Sequence, residues 1–235
     1  MTKRIPDDVK EVLSRVDHTL LRPDATWEEV RRLCDEAMYF ETASVCIPPT
    51  YVGMASDYIR HAYETEGRKR VAVCTVIGFP NGYSTIETKA FEAYDAVRNG
   101  ADEIDMVVDL GLVKAGRFGN VLHEINVIGT ACTGHLLKVI IETCLLTEYE
   151  KKRMCEVVST SYADYIKTST GFSTGGATIE DVRLLKSLIR NGKRVKAAGG
   201  ISGLDDAKSF IEAGADRLGT SRVVKDAIAT YGDIE

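Results

Sequence analysis

The chain has 235 residues with 35 acidic and 30 basic side chains, which gives a net charge of −5. This length predicts one domain over residues 1–235, and the acidic balance argues against a nucleic-acid partner while leaving room for a local cationic pocket. The first residues lack the apolar core of a signal peptide, and no later stretch is long enough to cross a bilayer. We therefore expect a soluble cytoplasmic protein without a membrane partner.

Strand-like and helix-like segments alternate from the start of the chain. A first strand near 14–19 precedes a helix that opens at Thr26, where Glu29 has the spacing of a capping box. A second strand at 43–47 is followed by a helix from about 51 to 63. Residues 70–77 form the clearest strand, because they are β-branched and apolar on both faces, as in a strand buried inside a parallel sheet. A helix capped within 84–87 follows that strand.

The second half repeats the same unit. A junction at 99–103 leads into a fourth strand, and near-copies of it recur at 162–166 and 214–218. A fourth helix at about 118–132, a helix capped by Thr147 and Glu150, and a last helix from Ser221 bring the count to eight strand-helix units. No linker interrupts them, and no glycine fingerprint follows the first strand. The sequence therefore predicts an α/β fold, a closed eight-stranded parallel (β/α)8 TIM barrel.

Three lysines stand inside apolar strands at equal intervals. Lys138, Lys167 and Lys196 are separated by 29 residues each time (167 − 138 and 196 − 167), about one strand-helix unit. A lone lysine in a strand usually reaches solvent or lies on an edge. Three of them at equivalent positions would lower one another's pKa by burial and repulsion, which yields the neutral amine that attacks carbonyl groups. The first functional hypothesis is a Schiff-base enzyme.

Two aspartates join these lysines late in their strands, where a barrel carries its active site. Asp105 lies in the apolar stretch 104–108, so its carboxylate needs a partner, either Lys196 or Lys138. A structural ion pair and a catalytic role both fit Asp105. Asp17 with Thr19 has the chemistry to orient a substrate hydroxyl, and Asp17 has equally the chemistry to cap a loop.

Small residues follow the last three strands and predict a phosphate site. Barrel enzymes often hold a phosphate on backbone amides of the loops after strands seven and eight. Each loop alone reads as a tight turn or an ordinary helix cap. Their coincidence favours phosphate binding by Thr170, Gly171, Gly199, Gly200, Gly219, Thr220 and Ser221.

Metal and disulfide chemistry are not expected. The six cysteines are scattered with no close pair, which is typical of reduced thiols in a core. The four histidines show no metal-ligand spacing. We predict no metal site.

Seven segments carry a family resemblance over nearly the whole chain: VDHTLL (16–21), VC (45–46), VIGFP (76–80), DEID (102–105), LKVIIET (137–143), IKTSTG (166–171) and KAAGGI (196–201). On these motifs the sequence resembles the deoxyribose-phosphate aldolases, class I aldolases with a barrel fold. The resemblance implies that Lys167 forms the Schiff base, that Asp105 and Lys196 move protons, and that Lys138 supports them. It also implies a sugar phosphate and aldehydes as ligands, with no cofactor.

Two other functions remain open from the sequence. One is another Schiff-base barrel enzyme, such as a ketose aldolase or a transaldolase-like enzyme, which would share the lysine and differ in the substrate carbonyl. The other is a non-catalytic sugar-phosphate binding barrel whose lysines only neutralise a phosphate. In each case we expect a homo-oligomer, a dimer or a tetramer.

Overall fold

Eight parallel strands close into a barrel in the computed structural model, which describes residues 4–232. Each strand pairs with the next along the chain, and the last pairs with the first. The strands are β1 Val16–Thr19, β2 Ser44–Ile47, β3 Ala72–Ile77, β4 Glu103–Val107, β5 Leu136–Ile140, β6 Tyr165–Lys167, β7 Arg194–Ala198 and β8 Arg217–Thr220. The predicted barrel with eight strand-helix units is confirmed.

Ten α-helices surround the barrel within the described residues. They are α1 Asp7–Leu13, α2 Trp27–Tyr39, α3 Val52–Glu66, α4 Ile86–Arg98, α5 Leu110–Lys114, α6 Phe118–Ala131, α7 Glu148–Thr160, α8 Ile179–Leu188, α9 Leu204–Glu212 and α10 Arg222–Tyr231. Single turns of 3-10 helix lie at Pro49–Tyr51 and Thr143–Leu145. The sequence reading missed α1 and α5, because helices of seven and five residues are too short to show a hydrophobic period. None of the helices in residues 4–232 has the length and apolar character needed to span a bilayer.

Local signals position these helices as the sequence suggests. Thr26 and Thr147 each form a complete capping box, with Glu29 and Glu150 respectively, and Thr85 caps α4. The main hydrophobic core lies between the outer faces of the strands and the helices, while a second small cluster of Cys46, Cys74 and Val76 fills part of the barrel interior. Because side chains alternate along a strand, the inward positions are separate from this outer core and are free to carry polar groups.

The recurring Ala-Asp junction has a structural cause. In each copy the aspartate Oδ2 accepts a hydrogen bond from a backbone amide of the preceding strand, at the amino end of the barrel. The three pairs are Asp102 with Val73 (2.9 Å), Asp164 with Leu137 (2.9 Å) and Asp216 with Val195 (2.8 Å). We call these three contacts the aspartate clamps. They fix the register between neighbouring strands.

A buried ion pair lies between the barrel and helices α4 and α6. Lys89 Nζ contacts Glu124 Oε1 at 2.5 Å and donates to the carbonyls of Val107 (2.8 Å) and Gly82. Glu124 Oε2 accepts from the amide of Asp109 at 3.1 Å. Burial raises the pKa of Glu124, although Lys89 partly opposes that shift. The pair connects the loops after β3 and β4, and no sequence pattern had singled it out.

Candidate active site

The inward face of strands β4 to β7 places four predicted residues together. Asp105, Lys138, Lys167 and Lys196 are all buried inside the barrel. Lys167 lies directly opposite Lys196 in the register, whereas Lys138 lies opposite Tyr165, two residues before Lys167. The predicted equivalence holds for Lys167 and Lys196 and is wrong for Lys138. A spacing along the chain also counts helix and loop residues, so it does not fix the register between strands.

Asp105 contacts all three lysines. Its Oδ2 accepts from Lys167 Nζ at 2.7 Å and from Lys196 Nζ at 2.6 Å. Its Oδ1 accepts from Lys138 Nζ at 2.8 Å and from the thiol of Cys74 at 3.3 Å. The choice between Lys196 and Lys138 as its partner is thus resolved: Asp105 binds both, and Lys167 as well.

A second set of charges lies beside this group. Asp17 contacts Lys196 and accepts from Arg217 Nη1 at 2.6 Å and from Ser44 Oγ at 2.8 Å. Glu103 forms an ion pair with Lys138 at 2.6 Å and lies 3.3 Å from Arg217 Nη2. These residues complete the charge cluster, which consists of Asp17, Glu103, Asp105, Lys138, Lys167, Lys196 and Arg217.

Glu103 and Arg217 had no predicted role. A signal was present, because Glu103 is two residues before Asp105 and Arg217 is two residues before Gly219, so each shares the inward face of its strand. Of the two roles considered for Asp17, the structure excludes the loop cap. Its carboxylate is fully buried among other members of the charge cluster, and loop capping is not its role.

The carboxylates of the cluster are held in their ionised form. Burial raises the pKa of Asp105, but the nearby Lys138, Lys167 and Lys196 outweigh that effect and hold its pKa well below the usual range. Burial likewise opposes ionisation of Asp17, and Lys196, Lys138 and Arg217 hold its pKa below the usual range. Neither group therefore carries a proton near neutral pH.

The same contacts act in the opposite direction on two lysines. Burial lowers the pKa of Lys196, but Asp105 and Asp17 outweigh it, and the net pKa is raised. The pKa of Lys138 is raised well above its usual value in the same way, chiefly by Asp105. Burial and clustering therefore do not lower the pKa of these two lysines, because the carboxylates facing them outweigh both effects, and Lys196 is cationic as predicted.

The charges of the cluster do not balance when every member is ionised. Four cationic side chains meet three carboxylates, which leaves one positive charge in excess. Within residues 4–232, Lys138 lies within 4 Å of three carboxylates, Lys196 of two and Lys167 of one. Lys167 is therefore the ammonium group whose charge is least compensated.

A cavity of about 470 Å³ opens above the cluster at the carboxyl ends of the strands. This volume suits a small sugar phosphate. Its lining includes the following predicted residues: Thr19, Lys167, Thr170, Gly171, Gly199, Gly219, Thr220 and Ser221. Asp17 and Gly200 do not line it. Arg32 and Lys225 do, although the sequence analysis had not selected them.

Glu142 holds the loop that follows Lys167. It is buried with a positive φ of 52°, and its carboxylate accepts from the amide of Thr170 at 3.2 Å and from the Thr170 hydroxyl at 2.5 Å. The same hydroxyl oxygen accepts from the amide of Phe172 at 3.0 Å. The Thr170 hydroxyl is thus used inside the protein, so the contribution of Thr170 to the cavity is to fix its wall.

The predicted phosphate loops meet at one side of the cavity. Gly199 and Gly200 both have φ of 81°, a conformation that disfavours a side chain. The start of α9 is covered by carboxylates, since the amides of Ser202 and Leu204 donate to Asp206 (2.8 Å) and Asp226 (3.0 Å). The helix start directed at the cavity is therefore that of α10, after Ser221.

Gly219 has a different role from the other glycines. A Cβ atom at this position would lie 3.1 Å from Lys196 Cε and 3.0 Å from the Cβ of Ala198. A bulky residue there would push against Lys196, so it would disturb the charge cluster as well as any phosphate site.

Two sets of side chains in residues 4–232 have their ligand atoms within 4.8 Å, Cys46–Cys74–Asp105 and Asp17–Cys74–Glu103. Their carboxylates already bind Lys138, Lys196 or Arg217. A metal ion in either place would have to displace these cations and would be repelled by them.

A closed (β/α)8 barrel with three lysines around a buried carboxylate, beneath a cavity that one of the lysines lines, is the arrangement of a barrel enzyme of the aldolase class. Residues 11–224 match the model of the DeoC/LacD family aldolases, and the chain belongs to that family. Its curated relatives include the deoxyribose-phosphate aldolases of Streptococcus pyogenes serotype M28 and Streptococcus agalactiae serotype V. Each is 55% identical over 218 residues, which is 93% of this chain and 94% of the relative.

Solved structures agree with this assignment. A putative deoxyribose-phosphate aldolase from Coccidioides immitis superposes with a TM-score of 0.87 at 36% identity, covering 96% of this chain and 88% of that chain. The deoxyribose phosphate aldolase of Aeropyrum pernix, described as a unique tetrameric structure, superposes with a TM-score of 0.81 at 35% identity, covering 93% and 92%.

Proposed function

We propose that the protein catalyses the reversible cleavage of 2-deoxy-D-ribose 5-phosphate to D-glyceraldehyde 3-phosphate and acetaldehyde through a Schiff base on Lys167. The observation that carries this proposal is the position of Lys167. It lines the cavity, and it is the lysine of the charge cluster with the fewest carboxylate neighbours. The curated relatives bearing the name deoxyribose-phosphate aldolase support the choice of substrate.

Charge balance supplies the reason why Lys167 reacts. Release of its proton removes the excess positive charge of the cluster, while Lys138 and Lys196 stay compensated by their carboxylates. The neutral amine then adds to the open-chain aldehyde, and loss of water gives an iminium ion. This cation can accept the electron pair of the C2–C3 bond.

Asp105 and Lys196 handle the protons of the later steps. Asp105, which is ionised and contacts Lys167 at 2.7 Å, takes the proton of the C3 hydroxyl through a water molecule. The C2–C3 bond breaks, its electrons pass to the iminium nitrogen, and glyceraldehyde 3-phosphate leaves. The remaining enamine takes a proton at its terminal carbon from the Lys196 side, and hydrolysis then releases acetaldehyde and free Lys167. These reaction steps require no cofactor.

The phosphate lies at the start of α10. Free backbone amides in the first turn of that helix and at Gly199 are the proposed donors to the anion, and Lys225, one turn into α10, adds a positive charge to the lining of the cavity. Arg32 contributes charge from α2.

Trapping tests the central step. Incubation with acetaldehyde and borohydride should add an ethyl group to Lys167, and the Lys167→Leu variant should show neither the adduct nor turnover. Lys138 and Lys196 in the same digest serve as internal controls. An ethyl group on either of them, with Lys167 unmodified, would contradict the assignment.

The same experiment separates the alternatives. A sugar-phosphate binding barrel without catalysis would give no adduct at all. A transaldolase-like enzyme would be trapped at Lys167 by its own ketose substrate, so analysis of the products formed from 2-deoxyribose 5-phosphate is the deciding measurement.

We also propose that the protein forms a homo-oligomer, a dimer or a tetramer. Helix α4 exposes Phe91 (68%) and Tyr94 (50%) one turn apart, an arrangement that favours burial against another chain. Light scattering should give a multiple of the 25.8 kDa chain mass. A monomer at micromolar concentration would contradict this proposal.

A further inference from the structure

Arg217 occupies a site in the charge cluster that has no direct contact with the cavity. Its guanidinium contacts Asp17 Oδ1 at 2.6 Å and Glu103 Oε1 at 3.3 Å, and it lies 5.7 Å from the ring centre of Tyr165. Its side chain is 11% exposed and does not line the cavity above Lys167. This buried guanidinium lies between two carboxylates and has no part in the steps described so far.

We propose that Arg217 is a positioning residue, which supplies the excess positive charge that makes Lys167 release its proton and which holds Asp17 against Lys196. This inference rests on the proposed Schiff-base function. The first part follows from the charge count, because four cations face three carboxylates with Arg217 present and three face three without it. Without Arg217 all three lysines can remain charged, because the three carboxylates then balance their positive charge.

The second part follows from the contacts of Asp17. One of its oxygens, Oδ1, is held by Arg217 at 2.6 Å and by Ser44 at 2.8 Å. This fixes the carboxylate so that the other oxygen, Oδ2, contacts Lys196 and lies 3.7 Å from Lys138. Arg217 thereby reaches the proton-handling pair through Asp17 and not through the substrate.

Charged and titratable groups face the cluster from every strand of the barrel. They are Asp17 on β1, Cys46 on β2, Cys74 on β3, Glu103 and Asp105 on β4, Lys138 on β5, Tyr165 and Lys167 on β6, Arg194 and Lys196 on β7, and Arg217 on β8. Removal of any of the three carboxylates has the opposite effect on the charge count, and Glu103 is the suitable one because its contacts are with Lys138 and Arg217 and not with Lys167 or Lys196. Arg194 provides a control, since it lies over the same Tyr165 ring at 4.1 Å but is exposed to solvent.

The test compares Arg217→Met, Glu103→Gln, the double variant and Arg194→Met. The readout is the pH dependence of ethyl-group trapping on Lys167 with acetaldehyde and borohydride, alongside the acidic limb of kcat. Arg217→Met should move the acidic limb up by about one pH unit, the order of effect of a unit charge beyond direct contact at an effective dielectric constant of about 20. Glu103→Gln should move it down, and the double variant should return it towards the wild-type position. Arg194→Met should leave it in place, because an exposed charge is screened.

A purely structural role for Arg217 would not give shifts of opposite sign. The inference would be overturned if the acidic limb of the pH profile were the same in wild type and Arg217→Met. It would also be overturned if Arg217→Met and Glu103→Gln shifted the limb in the same direction. If Arg217→Met does not fold, Glu103→Gln alone decides, since it keeps the shape of the side chain and an unchanged limb would refute the charge argument. Failure to trap wild-type Lys167 would instead overturn the proposed function.

Discussion

Replacement of Lys196 by leucine should raise the pH at which the Schiff base forms. Lys167 and Lys196 lie 2.7 Å and 2.6 Å from the same Asp105 oxygen, so their nitrogens are at most about 5.3 Å apart, the sum of the two distances. Lys196 is ionised because Asp105 and Asp17 hold its pKa above the usual value. Its charge therefore opposes protonation of the Lys167 amine at close range.

The magnitude follows from that distance. Two unit charges about 5.3 Å apart interact by about 3 kcal/mol at an effective dielectric constant of about 20. Loss of this repulsion favours the charged form of Lys167, and about 3 kcal/mol corresponds to about two pH units. The sign is upward, because removal of a neighbouring cation stabilises an ammonium group.

The assay is the pH dependence of borohydride trapping with acetaldehyde, together with the pH profile of turnover. Lys196→Leu should show its acidic limb about two pH units higher and a lower maximal rate, since in the proposed mechanism Lys196 also moves protons. Lys152→Leu, which removes the same charge from an exposed pair with Glu148, is the matched control and should leave the profile unchanged. An acidic limb that stays in place in Lys196→Leu would show that its charge does not govern Lys167.

Three further predictions concern the phosphate, the buried ion pair and metals. Lys225→Met should raise KM for 2-deoxyribose 5-phosphate by about tenfold, for the loss of one charge-assisted hydrogen bond of about 1.5 kcal/mol. Gly200→Val should raise the same KM because a side chain at φ 81° strains the turn beside Gly199. Both variants should hardly alter reaction with unphosphorylated 2-deoxyribose, and equal damage to both substrates would place the phosphate elsewhere. Lys89→Met should lower the free energy of unfolding by about 3–5 kcal/mol in urea titrations, because it leaves Glu124 buried without its cation, and a loss below about 1 kcal/mol would contradict that reasoning. EDTA should leave activity unchanged, whereas a loss restored by a divalent ion would indicate a metal-dependent aldolase.

The barrel could be predicted from the sequence because the signals that define its strands and helices are local. Apolar runs, capping boxes and the repeated Ala-Asp junctions each act over a few residues, and together they determine eight strand-helix units. The equal spacing also placed Lys167 and Lys196 at facing positions of neighbouring strands, as the structure has them. It misplaced Lys138 because register depends on contacts between strands.

The contacts of the site that the sequence did not predict are ion pairs between residues far apart along the chain. Arg217 and Asp17 are 200 positions apart, and Arg217 and Glu103 are 114 apart, so no pattern along the chain joins them. Asp105 raises the pKa of Lys138 and Lys196 most, and Asp17 adds to the shift of both lysines through contacts that the sequence did not indicate. The hydrogen bond from the Thr170 hydroxyl to Glu142 was not predicted either, because it requires a glutamate with a positive φ.

The aspartate clamps have a consequence for the chemistry at the opposite end of the barrel. Each clamped amide belongs to the residue just before an inward side chain of the site: Val73 precedes Cys74, Leu137 precedes Lys138, and Val195 precedes Lys196. A slip of one residue would turn these side chains to the outer face of the barrel. The inward orientation of Lys138 and Lys196, two of the proposed catalytic residues, is thus fixed at the end of the barrel opposite the cavity. Variation of the cavity loops can therefore alter substrate choice while the amino-terminal face keeps the lysines directed inward.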